Sequence, residues 1–513
     1  MKKFIAPLLV GAALTSAFGA DESLKQEIEA LKAQMAELKS AQAKVNVEAL
    51  KNQLSEVKAH DAGDNIKWTV DFRTAYDYVD YKIGSGFAPY NAMSPTAIAG
   101  KTEKNGLWTN KLILGMASQP ADNLVFKGSL GAYKAFGQND VQNGMFQDFD
   151  WYGTQKPNDS TIRLREAYFL YFGEMGDVAY SASFGRRPSV DGFMTNLRAD
   201  NEHPASPIGH NINMEFDGAS FKFDVDKVTG VSGMYFKICL GRGFSETTGS
   251  YSMASDMTGF NPAYIKDREN PNMDLAGLIF QAFDNGQYKM MVNAFKGWNM
   301  MDIGMDVTMD GSYNITNMAY NGMYDVGDLT GGAISFQVNG IGNGISDFLD
   351  DSIFFISYAM SKTDPNNVTV NTLNGSAYMA SMYHFGGEGM LGSNKSETGH
   401  SVYTGIQVPG VMEGQRLGLE YNKGSKYWRS FTYGEDTLVG SKLAARGDAY
   451  EVYYIVPLVK KNLTAQLSYV YIDYDYAGSD LFFGQTGNPS GMMGMMPYVD
   501  KASEVRASLR YRY

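Results

Sequence analysis

The sequence has little of what a soluble multidomain protein or an enzyme of familiar type needs. Charged residues are 19% of its 513 positions, against about 25% in ordinary globular chains. A single cysteine, Cys239, rules out an intrachain disulfide and a thiolate metal cage. Beyond the N-terminus no window holds the roughly 18 consecutive apolar residues of a membrane-spanning helix. The five histidines (His60, His203, His210, His384 and His400) include no i,i+4 pair. No Gly-x-Ser-x-Gly, phosphate-loop or His-Glu-x-x-His motif occurs. Lysine and arginine total 44 against 56 acidic residues, a formal charge of −12. Phosphate backbones want a basic face, so a nucleic-acid partner is not expected. No metal and no cofactor is expected, and the chain reads as a non-enzyme.

Aromatics and glycine, by contrast, are abundant. There are 33 Tyr, 29 Phe and 56 Gly, yet mean hydropathy is only −0.28. Apolar and polar residues that alternate along strands average out in this way. A transmembrane β-barrel, with lipid outside and water inside, requires that alternation.

Three segments follow. Residues 1–19 read as a signal peptide: Lys2 and Lys3, then the apolar stretch Phe4–Leu14, then Ala17-Phe18-Gly19 with cleavage before Ala20. Residues 20–60 read as a periplasmic coiled coil. Leu24, Ile28, Leu31, Met35, Leu38, Gln42 and Val45 are spaced by alternate fours and threes. That places Ile28, Met35 and Gln42 at a, and Leu24, Leu31, Leu38 and Val45 at d. The phase shifts at Val47, Leu50, Leu54 and Val57. An oligomeric coil below a barrel, in contact with the cell wall, is the sharper expectation; an amphipathic helix packed on or in the barrel is the blander one. Deleting 21–58 should change oligomer size and release the protein from the cell-wall fraction. Unchanged sedimentation of both would rule out the coil.

From Ile66 the period becomes two. Trp68, Phe72, Tyr76 and Tyr78 share one parity; Asp71, Arg73, Ala75 and Asp77 share the other. About sixteen such strands fit into 66–513. The connections between them alternate in length. Short ones fall at 118–123, 173–177, 226–231, 284–286, 409–414 and 457–462, and 340–351 is intermediate. Long ones fall at 82–105, 137–160, 188–212, 244–272, 299–328, 364–398, 427–442 and 478–501. Short periplasmic turns and long external loops give this rhythm. The expected fold is all-β: a transmembrane antiparallel barrel of about 16 strands, preceded by an α-helical coiled coil. The last strand carries Val505, Ala507, Leu509, Tyr511 and Tyr513 on one parity, and its aromatic end resembles an outer-membrane assembly signal.

Several stretches resemble bacterial porins. Arg165-Glu166-Ala167-Tyr168 is similar to a porin Arg-Gln-Ala-Tyr segment. Phe184-Gly185-Arg186-Arg187-Pro188 is similar to the strand end before the inward-folding third loop. The segment from Gly418 to Trp428, and that from Arg446 to Tyr454, resemble a porin-like outer-membrane family of unknown function with an N-terminal coiled coil. The resemblance implies a pore in the bacterial outer membrane, with 188–212 folded into the lumen. Barrels of this size usually form trimers, so a homotrimer in outer-membrane lipid is expected.

Parity points Lys111, Lys127, Arg163, Arg165, Arg187, Arg416, Arg506 and Arg510 into the barrel, where only water makes them tolerable. The loop 188–212 carries Asp191, Arg198, Asp200, Glu202, His203 and His210. Acids facing arginines across a constriction would set ion preference. The net charge leans towards cations and the arginines towards anions. Met492-Met493-Gly494-Met495-Met496 suits Cu(I), although a chance cluster in a loop tip explains it as well. Asp347, Asp350 and Asp351 suit Ca²⁺ or simple helix capping. The expected function is passive diffusion of ions and small hydrophilic solutes. The alternatives are a substrate-specific channel, or a loop-closed barrel acting as an adhesin or cell-wall tether.

Overall fold

The computed structural model describes residues 66–83, 102–135, 162–245, 247–248, 265–266, 272–311, 315–342, 344–368, 370–382, 389–476 and 499–513. The signal peptide, the coiled-coil residues and the Met492–Met496 cluster lie outside them. By contacts the chain falls into two units. The smaller contains, among the described residues, 66–67 and the hairpin tip Ala117–Val125; the larger contains Trp68–Met116 and Phe126–Tyr513.

Sixteen strands form a closed antiparallel barrel. They are β1 (Lys67–Ile83), β2 (Thr102–Ala121), β3 (Leu124–Ala135) and β4 (Arg163–Met175). Next come β5 (Val178–Arg187), β6 (Phe216–Asp224), β7 (Tyr235–Phe244) and β8 (Met273–Asp284). Then follow β9 (Tyr288–Met309), β10 (Ile315–Asn339), β11 (Ile353–Pro365) and β12 (Thr398–Pro409). The last four are β13 (Arg416–Gly424), β14 (Gly447–Val459), β15 (Leu463–Tyr474) and β16 (Val499–Arg512). Closure comes from β1 against β16, with Asp71 opposite Arg512 and Asp77 opposite Arg506. Val70 and Tyr513 exchange two backbone hydrogen bonds of 2.9 Å, which seal the seam.

The alternation has a direct physical cause. On β1, Phe72, Tyr76 and Tyr78 are exposed on the outer face while Ala75, Asp77 and Val79 are buried inside. Strands β11 and β12 repeat this, with Ile356, Tyr358 and Met360 outward and Phe355, Ser357, Ala359 and Ser401 inward. An apolar exterior of this kind is stable only against lipid. No helix among the described residues is long and apolar enough to cross a membrane.

Two elements differ from the sequence reading. The stretch 299–328 is not a long loop: β9 and β10 run 22 and 25 residues and continue their ladder out to Met309 and Ile315. Register shifts at Gly297/Met300, Met300/Met301 and Gly304/Met305 break the period there. A bulge flips the parity that sequence reading relies on. The stretch 427–442, spaced like an external loop, is buried instead. Trp428, Phe431 and Val439 within it, and Leu443, Ala444 and Ala445 just beyond it, are all nearly inaccessible.

The short helix Asp347–Asp350 is capped by Ser346 and not by the acids. The Ser346 hydroxyl accepts from Leu349 N at 3.3 Å, and Asp350 Oδ1 accepts from Gly344 N at 2.7 Å. Among the described residues, no group of three or more His, Cys, Asp or Glu side chains is arranged to hold a metal.

Candidate functional site

The site is built from barrel walls and two connections that fold between them. The first connection, residues 188–215, joins β5 to β6. Its entry is set by Gly185, whose φ of +119° closes off any side chain; an added Cβ would lie 2.2 Å from Ala167 O. Within it, His210 sits between the hydroxyls of Ser357 on β11 and Ser401 on β12, at 2.8 and 2.9 Å. Asn211 and Asn293 on β9 exchange side-chain hydrogen bonds of 3.0 and 2.9 Å. Gln466 on β15 donates to Arg198 O at 3.0 Å, and Arg510 on β16 donates to Ala199 O at 2.5 Å. Partners on β9, β11, β12, β15 and β16 mean that this one loop reaches across the interior. Its apolar residues Phe193, Met194 and Ile208 pack with Met291, Phe355 and Tyr403 from the walls.

The second connection, residues 425–446, joins β13 to β14 and lies against the first. Phe431 N donates to Asn211 O at 2.9 Å, Asn213 N to Phe431 O at 2.5 Å, and Gly434 N to Asn213 O at 2.7 Å. Lys442 lies between Glu420 and Glu451 and is ion-paired to both. Glu420 also receives Arg198 at 3.1 Å, and Arg198 reaches Glu435 at 2.7 Å. Sequence spacing missed this loop. The signal that was present is compositional: Trp428, Phe431, Leu443, Ala444 and Ala445 are poor choices for a solvated loop.

A narrow charged gap remains between the loops and the wall made by β14, β15, β16, β1 and β2. It is a cavity of about 80 Å³, with Arg73, Lys111, Arg506 and Arg510 on the wall and Asp191, Glu435 and Asp436 on the loops. Asp436 is its hub, at 2.5 Å from Arg73, 2.9 Å from Lys111 and 3.1 Å from Arg506. Burial pushes the Asp436 carboxyl up, but those three cations outweigh it and hold it well below the usual carboxylate range. A larger cavity of about 1560 Å³ is lined by Thr69, Asp200, Glu202, His203, Arg416 and Lys461, among others.

The residues read from parity can now be placed. Lys111, Arg165, Arg187 and Arg506 are inward and buried, and Arg510 is inward and paired to Asp71 at 2.5 Å. Arg165 pairs with Glu215. Lys127 is on the inward parity of β3 but exposed, and Arg163 is half-buried at the start of β4. Arg416 lines the larger cavity and donates to Asp351 O at 3.0 Å. Of the loop acids, Asp191 lines the gap. Asp200 pairs with Arg512, and Glu202 pairs with Lys461 at the larger cavity. The acids named from sequence therefore do not form one ring. The gap's principal counter-charge is Asp436, from the second loop. Arg73, Glu420, Glu435, Asp436 and Lys442 complete a set that the sequence did not single out.

His210 makes docking of the first loop pH-dependent. Burial pushes its imidazole down to about 3, against about 6.5 when exposed. The undocked loop therefore binds the proton more readily, so docking is strongest above pH ~6.5 and weakens as pH falls towards 3. The slope is about 1.4 kcal/mol per pH unit. His210→Gln should flatten the difference in loop proteolysis between pH 6 and pH 4. Parallel profiles for the two proteins would show that His210 does not govern docking.

A closed sixteen-stranded barrel with an apolar exterior is an outer-membrane β-barrel, and that is the class of this protein. The chain belongs to the family described as "Protein of unknown function (DUF3373)", whose model matches residues 101–513. Among curated proteins, none matches the sequence. Similar solved structures include OmpT, in-vitro folded, an outer membrane protein of Vibrio cholerae: 12% identity, TM-score 0.43, 87% of this chain and 97% of that one. OprB of Pseudomonas putida has 11% identity and TM-score 0.43, over 88% and 94%. OmpF of Salmonella typhi in complex with daunomycin has 10% identity and TM-score 0.41, over 88% and 99%.

Proposed function

We propose that the barrel is a porin: a non-enzymatic channel through which ions and small hydrophilic solutes diffuse passively, constricted by the loop 188–212. The observation that carries this reading is the gap itself. An apolar core fills one side of the lumen, but the side facing β16, β1 and β2 is lined by charged residues around a cavity. Charged side chains at that depth are stable where water reaches them.

The size of the gap favours a second, narrower reading, a substrate-specific channel. At about 10–15 Å³ per water, 80 Å³ admits only a short file of water-sized particles. In both readings a homotrimer stands on a coiled coil formed by 20–60.

Conductance of the purified protein in a planar bilayer tests the proposal. Stepwise currents are expected, with a reversal potential in a salt gradient that reports ion preference. Replacing Asp191, Asp200 and Glu202 with Asn, Asn and Gln should shift that potential towards anions. Currents identical to wild type would take the constriction away from this loop. A protein that inserts and passes no current would be the loop-closed adhesin or tether instead.

A further inference from the structure

Across the barrel from the charged gap, two inward cations have no carboxylate partner among the described residues. Lys111, Arg165, Arg198, Lys442, Arg506 and Arg510 each contact a carboxylate. Arg187, at the end of β5, does not. It is 8% exposed, and its Nε has no hydrogen-bond partner. Lys237, on the inward parity of β7, likewise has no hydrogen bond or ion pair among the described residues.

Both line one partly open cavity of about 60 Å³. Ser189 adds a hydroxyl. Asn293 also lines it, but its amide is engaged by Asn211. Much of the remaining wall is apolar, including Ile208, Leu275, Ile279 and Phe295. Two like charges in such a wall, without a carboxylate, are costly unless a counter-charge joins them. A guanidinium also offers two parallel donors that match a planar carboxylate.

We infer that this cavity binds a small organic monoanion, its carboxylate on Arg187 and Lys237 and its short apolar body against Leu275, Ile279 and Phe295. About four to six water-sized positions fit the volume, which suits a chain of a few carbons and excludes a sugar. The site goes beyond the conduction proposal and does not depend on it, because binding is read without a current.

The test uses the full-length protein in detergent and saturation-transfer NMR. Butyrate is the probe, with neutral butyramide and inorganic phosphate as comparators. Butyrate should bind and butyramide should not, since they differ mainly in charge. Arg187→Gln and Lys237→Gln should each weaken butyrate about tenfold or more, and Arg187→Lys should fall between. Retained heat-modifiable mobility on a gel establishes that each variant is folded, and Lys237→Gln carries the test if Arg187→Gln is not. Absent binding of butyrate, or equal binding by folded variants, overturns the site. Phosphate that displaces butyrate at equal concentration, read as loss of the butyrate signal, overturns the assigned ligand class.

Discussion

Asp436→Asn should turn the channel towards anions more strongly than any other single substitution. The gap is lined by five cations (Arg73, Lys111, Arg198, Arg506 and Arg510) and five acids (Asp191, Glu435, Asp436, Glu451 and Glu504). Asp436 alone touches three of those cations. Removing its charge leaves the gap net positive. A unit charge at about 6 Å from a passing ion contributes about 0.7 kcal/mol in bulk water and about 2.8 kcal/mol at an effective dielectric of 20. That corresponds to roughly threefold to a hundredfold in the local concentration of each ion, raised for anions and lowered for cations. The gap is narrower than a Debye length of about 8 Å in physiological salt, so screening does not erase the effect. Reversal potential in a potassium chloride gradient reads it directly. An unmoved potential in a folded variant would mean that ions do not pass Asp436.

Lys442→Met should loosen the second loop and raise single-channel conductance. Lys442 is buried between Glu420 and Glu451, and among the described residues Arg198 is the only other cation paired to Glu420. Removing one partner of a buried ion cluster costs about 3–5 kcal/mol, because it strands the opposite charges. The barrel ladder does not pass through Lys442, so the cost falls on docking of 425–446. Once undocked, that loop vacates lumen space next to the gap. Changing Glu420 and Glu451 to Gln together with Lys442→Met should restore much of the docking, since no charge is then left alone. Protease cleavage within 425–446 and conductance steps are the two measurements. Wild-type values of both in Lys442→Met would show that the cluster does not hold the loop.

Much of the barrel is legible in the sequence because its cause is local. Side chains on a strand alternate every residue, so Trp68, Phe72, Tyr76 and Tyr78 disclose one face and Asp71, Arg73 and Asp77 the other without knowledge of any partner. The same rule put Arg506 and Arg510 inside. It failed at β9 and β10, where bulges change the parity. It was also silent about the loops, since a connection's length says nothing about which way it folds. Trp428 and Phe431 were visible as residues and invisible as lumen filling.

The sequence by itself determined the alternation, the strand number, the inward face and hence the membrane as solvent, all of them properties of neighbours along the chain. The tertiary structure decided which charges meet. Arg73 finds Asp436 across 363 residues and Arg506 finds Asp77 across 429. Barrel closure and loop docking make those pairs, and no local pattern encodes them. Of the cations placed inside by parity, Lys111, Arg506 and Arg510 thus joined a compensated gap on one side of the lumen, while Arg187 met Lys237 in an uncompensated pair on the other.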